Sequence, residues 1–467
     1  MHTIGMPGYS RDDVTVGIAH FGVGNFHRAH EAVFLHDLFE QGIARDWGIC
    51  GIGVLPGDAR MRDALVESDY TYTHIERRPD GSATARRIAS IVDYRFAPDD
   101  PEAVLDLLAS PTTRIVSLTI TEGGYNTSSV TGRFDASAPA IVADLEPGAV
   151  PATVFGLVVE GLARRRASGT APFTVMSCDN LQGNGEVARS AFVEFATLRD
   201  PDLGAWVSEQ VAFPNSMVDR ITPATSEHDR QFAAEEFGAT DPWPVVSEAY
   251  LQWVLEDSFT LGRPPLERVR VEVVDDVAPY EKMKLRLLNA SHQALAYFGI
   301  LLGYEFVHEA AGDPLIARLL ERYLAEEAEP TLDPISGYDV AGYGRAALER
   351  FRNPAIRDTL ARIATDASDR LSTFLVPVAI EGALAGRQTP MTAAVIASWA
   401  EYCRAPSAPE RQQSVVAEAL ATGLLQETRL FGNLADFPDF VTSYNTARRL
   451  IRTEGPSAAL ASIVGIS

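Results

Sequence analysis

Lys284, Asn289 and His292 lie in one stretch, Tyr280-Glu281-Lys282-Met283-Lys284-Leu285-Arg286-Leu287-Leu288-Asn289-Ala290-Ser291-His292. Their side chains are an amine, an amide and an imidazole: a base, a neutral donor and an orienting group. On a helix turning about 100° per residue, His292 falls about 80° and Asn289 about 140° from Lys284, so the three share a sector. Desolvation draws a lysine pKa toward neutrality. Such a lysine can take the proton of an alcohol as hydride leaves. Asn289 would donate to the developing alkoxide and His292 would orient a substrate hydroxyl. The competing reading is a helix with a basic solvent face, to which Lys282 and Arg286 would belong.

A second segment has the chemistry of a phosphate cradle. Phe21-Gly22-Val23-Gly24-Asn25-Phe26-His27-Arg28 follows a β-rich run, Val14–His20, and opens a helical pattern from about His27 to Gly42. Glycines at a strand-to-helix turn allow a tight bend and close approach of a pyrophosphate, and the helix N-terminus adds outward N–H groups. Gly22, Gly24, Asn25, Phe26, His27 and Arg28 are therefore the candidate cofactor contacts. His27 stands where a third glycine would complete the fingerprint, so a plain βα turn is the alternative. Asp58, 36 residues after Gly22, is the candidate for the ribose hydroxyls, or else an N-cap of the next helix. His27, His30 and Glu31 have helical spacing, but no further ligand is evident nearby, and no metal is expected.

Ser177-Cys178-Asp179-Asn180 ends another β run. Asn180 would stand at the carboxyl edge of a sheet, either as a second oxyanion donor or in a plain Asx turn. Phe213-Pro214-Asn215-Ser216-Met217-Val218-Asp219-Arg220 places an acid–base pair that reads as a local salt bridge ordering a loop.

These groups need a scaffold. Val14–His20, Trp47–Val54, Arg114–Ile120 and Phe173–Ser177 read as strands alternating with helices. That pattern builds a mostly parallel sheet covered by helices. Tyr70–Ile75 and Arg87–Tyr94 read as an added hairpin. From Tyr280 the patterns are long and helical: Tyr280–Leu302, Pro314–Glu327, Val340–Phe351, Ile356–Leu371, Met391–Arg404 and Ser414–Leu425. Pro406–Pro409 reads as a loop. The expected division is an α/β nucleotide-binding domain over 1–275 and a largely α-helical catalytic domain over 276–467, with the boundary between Arg268 and Pro279.

The chain has 467 residues, ample for two cores. Its 63 acidic against 40 basic residues leave a net charge of −23, which opposes nucleic acid and anionic membrane as partners. Cys50, Cys178 and Cys403 form no metal or disulfide framework, and neither a signal peptide nor a membrane span is evident. A cytoplasmic protein is expected.

Three motifs together resemble the polyol-specific long-chain dehydrogenases, the mannitol dehydrogenase family, which includes mannitol 2-dehydrogenase and fructuronate reductase. They are the Gly22–His30 turn, Val211-Ala212-Phe213-x-x-Ser216-x-Val218-Asp219-Arg220-Ile221-x-Pro223, and Lys284-x4-Asn289-x2-His292. The resemblance spans nearly the whole chain. It implies a metal-independent NAD-linked oxidoreductase acting on a polyol or ketose, with an α/β Rossmann-type N-terminal domain and a largely α-helical C-terminal domain. Lys284 would be the general base, Asn180 and Asn289 the oxyanion hole, and His292 a substrate contact. Asp219 would support the site, Glu122 would lie near the nicotinamide, and Glu281 would relay protons or tune Lys284. A substrate-binding basic pair would fall on Arg362 and Arg370, for which surface salt bridging is the alternative. An acid at Asp58 would favour NAD over NADP. Leu285–His292 followed by Gly299–Glu305 resembles the branch that interconverts D-mannitol and D-fructose. Fructuronate reduction or oxidation of another polyol such as arabinitol is the nearest alternative, and a non-catalytic nucleotide-binding protein a distant one.

Overall fold

The computed structural model describes residues 4–127, 134–365, 367–404, 408 and 423–466. The chain divides into two compact units: Met1–Arg77 with Ser82–Ala278, and Arg78–Gly81 with Pro279–Ser467.

The first unit is built on strands β1 (Val16–Phe21), β2 (Gly48–Gly53), β3 (Tyr72–Arg77), β4 (Ala83–Ile88), β5 (Ile91–Phe96), β6 (Ile115–Leu118), β7 (Thr174–Ser177), β8 (Ser216–Asp219), β9 (Val245–Glu248), β10 (Gln252–Glu256) and β11 (Glu272–Val274). The central sheet runs β5-β2-β1-β6-β7, and every pairing in it is parallel. β2, β6 and β7 are buried along their whole length, as strands covered on both faces must be. On one face Ile18, Ile49, Ile91 and Ile115 meet Val33 and Leu35 of helix Glu31–Glu40 and Met61 and Leu65 of helix Ala59–Glu67. On the other, Phe21, Ile52, Val116 and Val175 meet Leu108 of helix Pro101–Ala109, Leu162 of helix Val154–Ser168 and Phe192 of helix Asn184–Arg199. This is the expected α/β Rossmann-type architecture.

Two sequence expectations for the first unit are corrected. Arg87–Tyr94 is not one strand: Ala89 and Ser90 part β4 from β5. β4 pairs with β3 in a small sheet completed by β9, whereas β5 forms an edge of the central sheet. The helix expected from His27 to Gly42 is two, Asn25–Ala29 and Glu31–Glu40. They part at His30, whose φ of −125° and ψ of −97° are not helical. There His30 Nε2 meets the Gln252 carbonyl and its ring packs on Phe26, Phe34 and Trp253. Tertiary contact overrides helical periodicity at that residue.

The second unit is helical. Tyr280–Leu302 is one continuous run: helix Ala278–Lys284, a π turn Leu285–Asn289 and helix Ala290–Leu301. Helices Pro314–Arg322, Pro390–Tyr402, Pro438–Glu454 and Pro456–Val464 each start on proline, where the missing N–H costs nothing. The single helix expected over Ile356–Leu371 is instead two short ones, Leu360–Ile363 and Ala367–Arg370, the first begun by a Thr359 cap. The loop expected at Pro406–Pro409 and most of the Ser414–Leu425 helix lie outside the described residues.

Candidate active site

In the first unit the glycine turn, Glu122 and Asn180 gather at the carboxyl ends of β1, β6 and β7. Gly22 has φ +92°, and a Cβ there would sit 2.1 Å from the Thr119 carbonyl oxygen. Only glycine fits. Thr119 Oγ1 donates back to the Gly22 carbonyl at 2.7 Å, locking the turn to β6. Above Gly24 the space is open: a Cβ would meet only the Gly22 oxygen, at 3.8 Å. That opening, with N–H groups of the following helix facing it, fits a dinucleotide pyrophosphate.

The side chains after the turn are largely spent on the protein. Asn25 donates to the Pro223 carbonyl and Thr225 Oγ1, and accepts from Arg28. Arg28 is fully buried, donates to the Trp243 carbonyl and lies over the Tyr72 and Trp243 rings. Burial pulls its pKa down to about 10. Both residues brace the turn, so their backbone is what they present to a cofactor. Phe26 is half-buried against His30, and buried His27 stacks on His20 with ring centroids 3.5 Å apart. Asp58 Oδ2 accepts the N–H groups of Val54 and Leu55, both at 2.9 Å. Its side chain closes the turn after β2 and does not cap helix Ala59–Glu67.

Glu122 and Asn180 are exposed, at the ends of β6 and β7 respectively. Between them sits a residue whose role was not legible in sequence. Asp179 is buried, and its carboxylate accepts the Ile120 and Thr121 N–H groups and the Tyr125 hydroxyl. Burial raises its pKa, against the pull of those donors. The clamp holds Thr121 at φ +66°, an unusual conformation for a β-branched residue, and so sets the direction of Glu122.

Asp219 is buried at the end of β8. Arg220, expected in a local loop salt bridge, makes long-range contacts instead. It donates to the carbonyls of Ala29 and Glu248 and pairs with Glu76 at 3.0 Å, tying the first turn of the nucleotide fold to β3 and β9.

In the second unit Lys284 and Asn289 are buried, and His292 packs its ring against Phe351 with centroids 4.0 Å apart. The π turn between Lys284 and Asn289 advances each residue by less than an α-helix does, which swings Asn289 back toward the Lys284 face. Such turns recur at functional sites. Glu281, one turn before Lys284, is buried too. The basic solvent face is not what forms: Arg286 is buried, donates to the Thr331 carbonyl and forks onto Glu381. Arg362 forks onto Asp358 at 2.6 and 2.5 Å, and Arg370 donates to the Ile363 carbonyl. Gln293 of the Lys284 helix donates to the same carbonyl, which places this segment beside that helix.

His20, His27 and Glu31 bring ligand-type atoms within 4.8 Å of one another. The histidine rings stack at an interplanar angle of 12°, so their in-plane lone pairs run side by side and do not converge on one point. Glu31 Oε2 lies 3.2 Å from His20 Nδ1 and 3.5 Å from His27 Nε2, and accepts from Ser117 Oγ at 3.0 Å.

A parallel nucleotide-type sheet opening on a glycine turn, followed by a helical unit that buries a lysine, is the build of a two-domain oxidoreductase. The chain belongs to the mannitol dehydrogenase family. Residues 16–268 match the mannitol dehydrogenase Rossmann domain and residues 276–451 its C-terminal domain. It is 42% identical to a mannitol 2-dehydrogenase of Phaeosphaeria nodorum, over 99% of this chain and 84% of that protein. It is 46% identical to one of Aspergillus fumigatus, over 85% and 80%. Its fold is similar to that of Pseudomonas fluorescens mannitol 2-dehydrogenase in a ternary complex with NAD and D-mannitol, with a TM-score of 0.92, 41% identity and coverage of 99% and 97%. A substrate-free D-sorbitol dehydrogenase matches with a TM-score of 0.89, 39% identity and coverage of 98% and 97%.

Proposed function

We propose that this protein is an NAD-dependent polyol dehydrogenase, an oxidoreductase acting on CH–OH groups, that interconverts D-mannitol and D-fructose. What carries the reading is the helix that buries Lys284 and Asn289 and bears His292, in a chain that is 41% identical, over almost its full length, to an enzyme seen with NAD and D-mannitol. Gly22, Gly24 and the backbone of Asn25–Arg28 would hold the pyrophosphate, and Asp58 the ribose. Bound NAD supplies the acceptor for the hydride that leaves C2 of the polyol. Lys284 takes the hydroxyl proton in oxidation and returns it in reduction. Asn289 and Asn180 donate to the alkoxide, His292 orients a neighbouring hydroxyl, and Glu281 passes the proton outward. Asp219 and Glu122 support the site.

Arg362 bears on the uronate alternative. Its guanidinium is already forked onto the buried Asp358 carboxylate, so it would have to break that pair to neutralise a substrate carboxylate. Arg362 and Arg370 fit better as borders of a neutral polyol pocket. A second substrate is favoured by the D-sorbitol dehydrogenase likeness. Sorbitol differs from mannitol at C2, and oxidation at that carbon gives fructose from either.

The test supplies D-fructose and NADH to the metal-free protein and identifies the hexitol formed. Mannitol supports the reading, sorbitol replaces the substrate, and turnover with D-fructuronate alone would overturn it. The buried thiols of Cys50, Cys178 and Cys403 suit a reducing, cytoplasmic setting. No helix among the described residues is long and apolar enough to cross a membrane.

A further inference from the structure

The helix that carries Lys284 is wound wide at one point, and the groups that hold it so take no part in the reaction above. Lys284 and Asn289 stand five positions apart, which an α-helix sets about 140° apart around its axis. An α-helix brings residues three and four apart onto one face. In the π turn Leu285–Asn289 the hydrogen bonds run five residues back, so positions five apart stack instead. Keeping the amine and the amide on one face therefore depends on the width of this single turn.

The strain of a wide turn falls on one carbonyl. The Ala290 N–H, which an α-helix would aim at the Arg286 oxygen, goes to the Leu285 oxygen instead. A buried carbonyl that loses its donor is unfavourable until another replaces it. The Tyr323 hydroxyl does so, donating to the Arg286 carbonyl at 3.0 Å. Tyr323 is fully buried, and burial pushes its pKa well above the usual phenol range, so the donor keeps its proton. The Arg286 side chain is fastened as well: it donates to the Thr331 carbonyl at 3.0 Å and forks onto Glu381 of helix Val376–Leu384. The turn that follows is tied to a different place, through Gln293 to the Ile363 carbonyl. With both sides anchored, rewinding the segment to α would twist one anchor away from its partner.

We propose that Tyr323 and the Arg286–Glu381 fork are positioning residues for the reaction: they hold the π turn wide and so keep Lys284 and Asn289 on one face. Two states of the segment compete, the wide turn and an α-helical one. In the α-helical state the Arg286 carbonyl takes back the Ala290 N–H, and the buried Tyr323 hydroxyl loses this acceptor. That loss falls on one state only, which is what biases the equilibrium. None of the three residues is asked to bind substrate or to move a proton. Each acts through the backbone between the base and the amide. This role rests on the reading that Lys284 and Asn289 carry the chemistry, although the width of the turn can be followed without turnover.

The test uses Tyr323→Phe, which removes one hydroxyl and keeps the ring. It measures D-mannitol oxidation per NADH-binding site, the NADH dissociation constant, and amide hydrogen exchange of the ligand-free protein. The turnover number should fall about tenfold or more, because small misplacements of reacting groups are expensive. NADH affinity should stay within about twofold, and KM for mannitol should change less than the turnover number. Exchange should quicken over Leu285–Ser291, while Ala294–Leu301 of the same run keeps its protection. Arg286→Met should act in the same way. Arg286→Lys, which keeps one donor for Glu381, should recover about threefold or more of the lost turnover. If Tyr323→Phe does not fold, the two Arg286 variants decide by the same measures. A turnover number within about twofold of the natural chain, even with a lower melting temperature, would reduce these residues to structural supports and overturn the proposal. So would a parallel loss of turnover and NADH affinity, or a loss of turnover with unchanged exchange over Leu285–Ser291. Failure of the natural chain to turn over any polyol or ketose would refute the dehydrogenase reading, and the exchange pattern would still decide whether Tyr323 and Arg286 hold the turn.

Discussion

At the residue scale the helix Tyr280–Leu302 concentrates the proposed chemistry. If Lys284 is the base, Lys284→Ala should lower the turnover number at least about a thousandfold, in the upper range for loss of a general base. NADH binding should persist within a few-fold, because the dinucleotide turn belongs to the other unit. Turnover within tenfold of the natural chain would refute the assignment. A lysine base also makes alcohol oxidation rise with pH through one ionisation. Gly22 carries a second prediction. Gly22→Ala must place a methyl group 2.1 Å from the Thr119 oxygen in a left-handed conformation. It should cost about 1–3 kcal/mol of stability and at least tenfold in NADH affinity, measured by denaturant titration and fluorescence. Equal stability and affinity would mean that the turn relaxes without cost.

At the element scale a buried carboxylate closes one end of the helical core. Glu327 is buried in the π turn Tyr323–Ala328 and accepts the N–H groups of Met391 and Thr392 and the Thr392 hydroxyl. It thereby caps helix Pro390–Tyr402 from outside that helix. Burial raises its pKa from 4.5 to about 7, even against those donors. A raised folded pKa gives stability that is complete below the unfolded value and is lost as pH climbs through the folded one. Between pH 4.5 and 7 the loss amounts to about 3 kcal/mol. Glu327→Gln should therefore melt with a shallower pH dependence than the natural chain between pH 5 and 8. Parallel melting curves would show that the carboxyl is already ionised at pH 5.

For the whole molecule the expectation is linkage. NAD at a hundred times its dissociation constant should stabilise the unit that binds it by about 2.7 kcal/mol, visible as a rise in melting temperature. A net charge of −23 with no expected metal predicts that a strong chelator leaves turnover unchanged, whereas polyanions such as nucleic acid fail to bind. Loss of turnover on chelation, restored by a divalent ion, would contradict the metal-independent reading.

The short-range features were legible in the residues themselves. Continuous apolar runs marked β1, β2, β6 and β7, because a strand buried on both faces cannot alternate. Gly22 and Gly24 marked the turn: at Gly22 only a residue without Cβ fits, and at Gly24 its lack leaves the space above the turn open. The spacing of Lys284, Asn289 and His292 put them on one helix, and one continuous helical run carries all three. What depended on distant chain was not legible. His30 breaks its helix because the Gln252 carbonyl and Trp253 meet it from 222 and 223 positions away. Arg286 and Arg362 look like surface cations until Glu381 and Asp358 are brought beside them. Arg220 seems a local partner of its neighbour until its guanidinium is found donating to the carbonyls of Ala29 and Glu248. Asp179, and the hydrogen bonds that run from Glu31 through Ser117 and His20 to Thr119, have no sequence pattern at all. Periodicity and turn chemistry act over a few residues, so the local order of residues encodes them. Pairing of buried polar groups is decided only when the sheet pairs β1 with β6 and a helix closes over both.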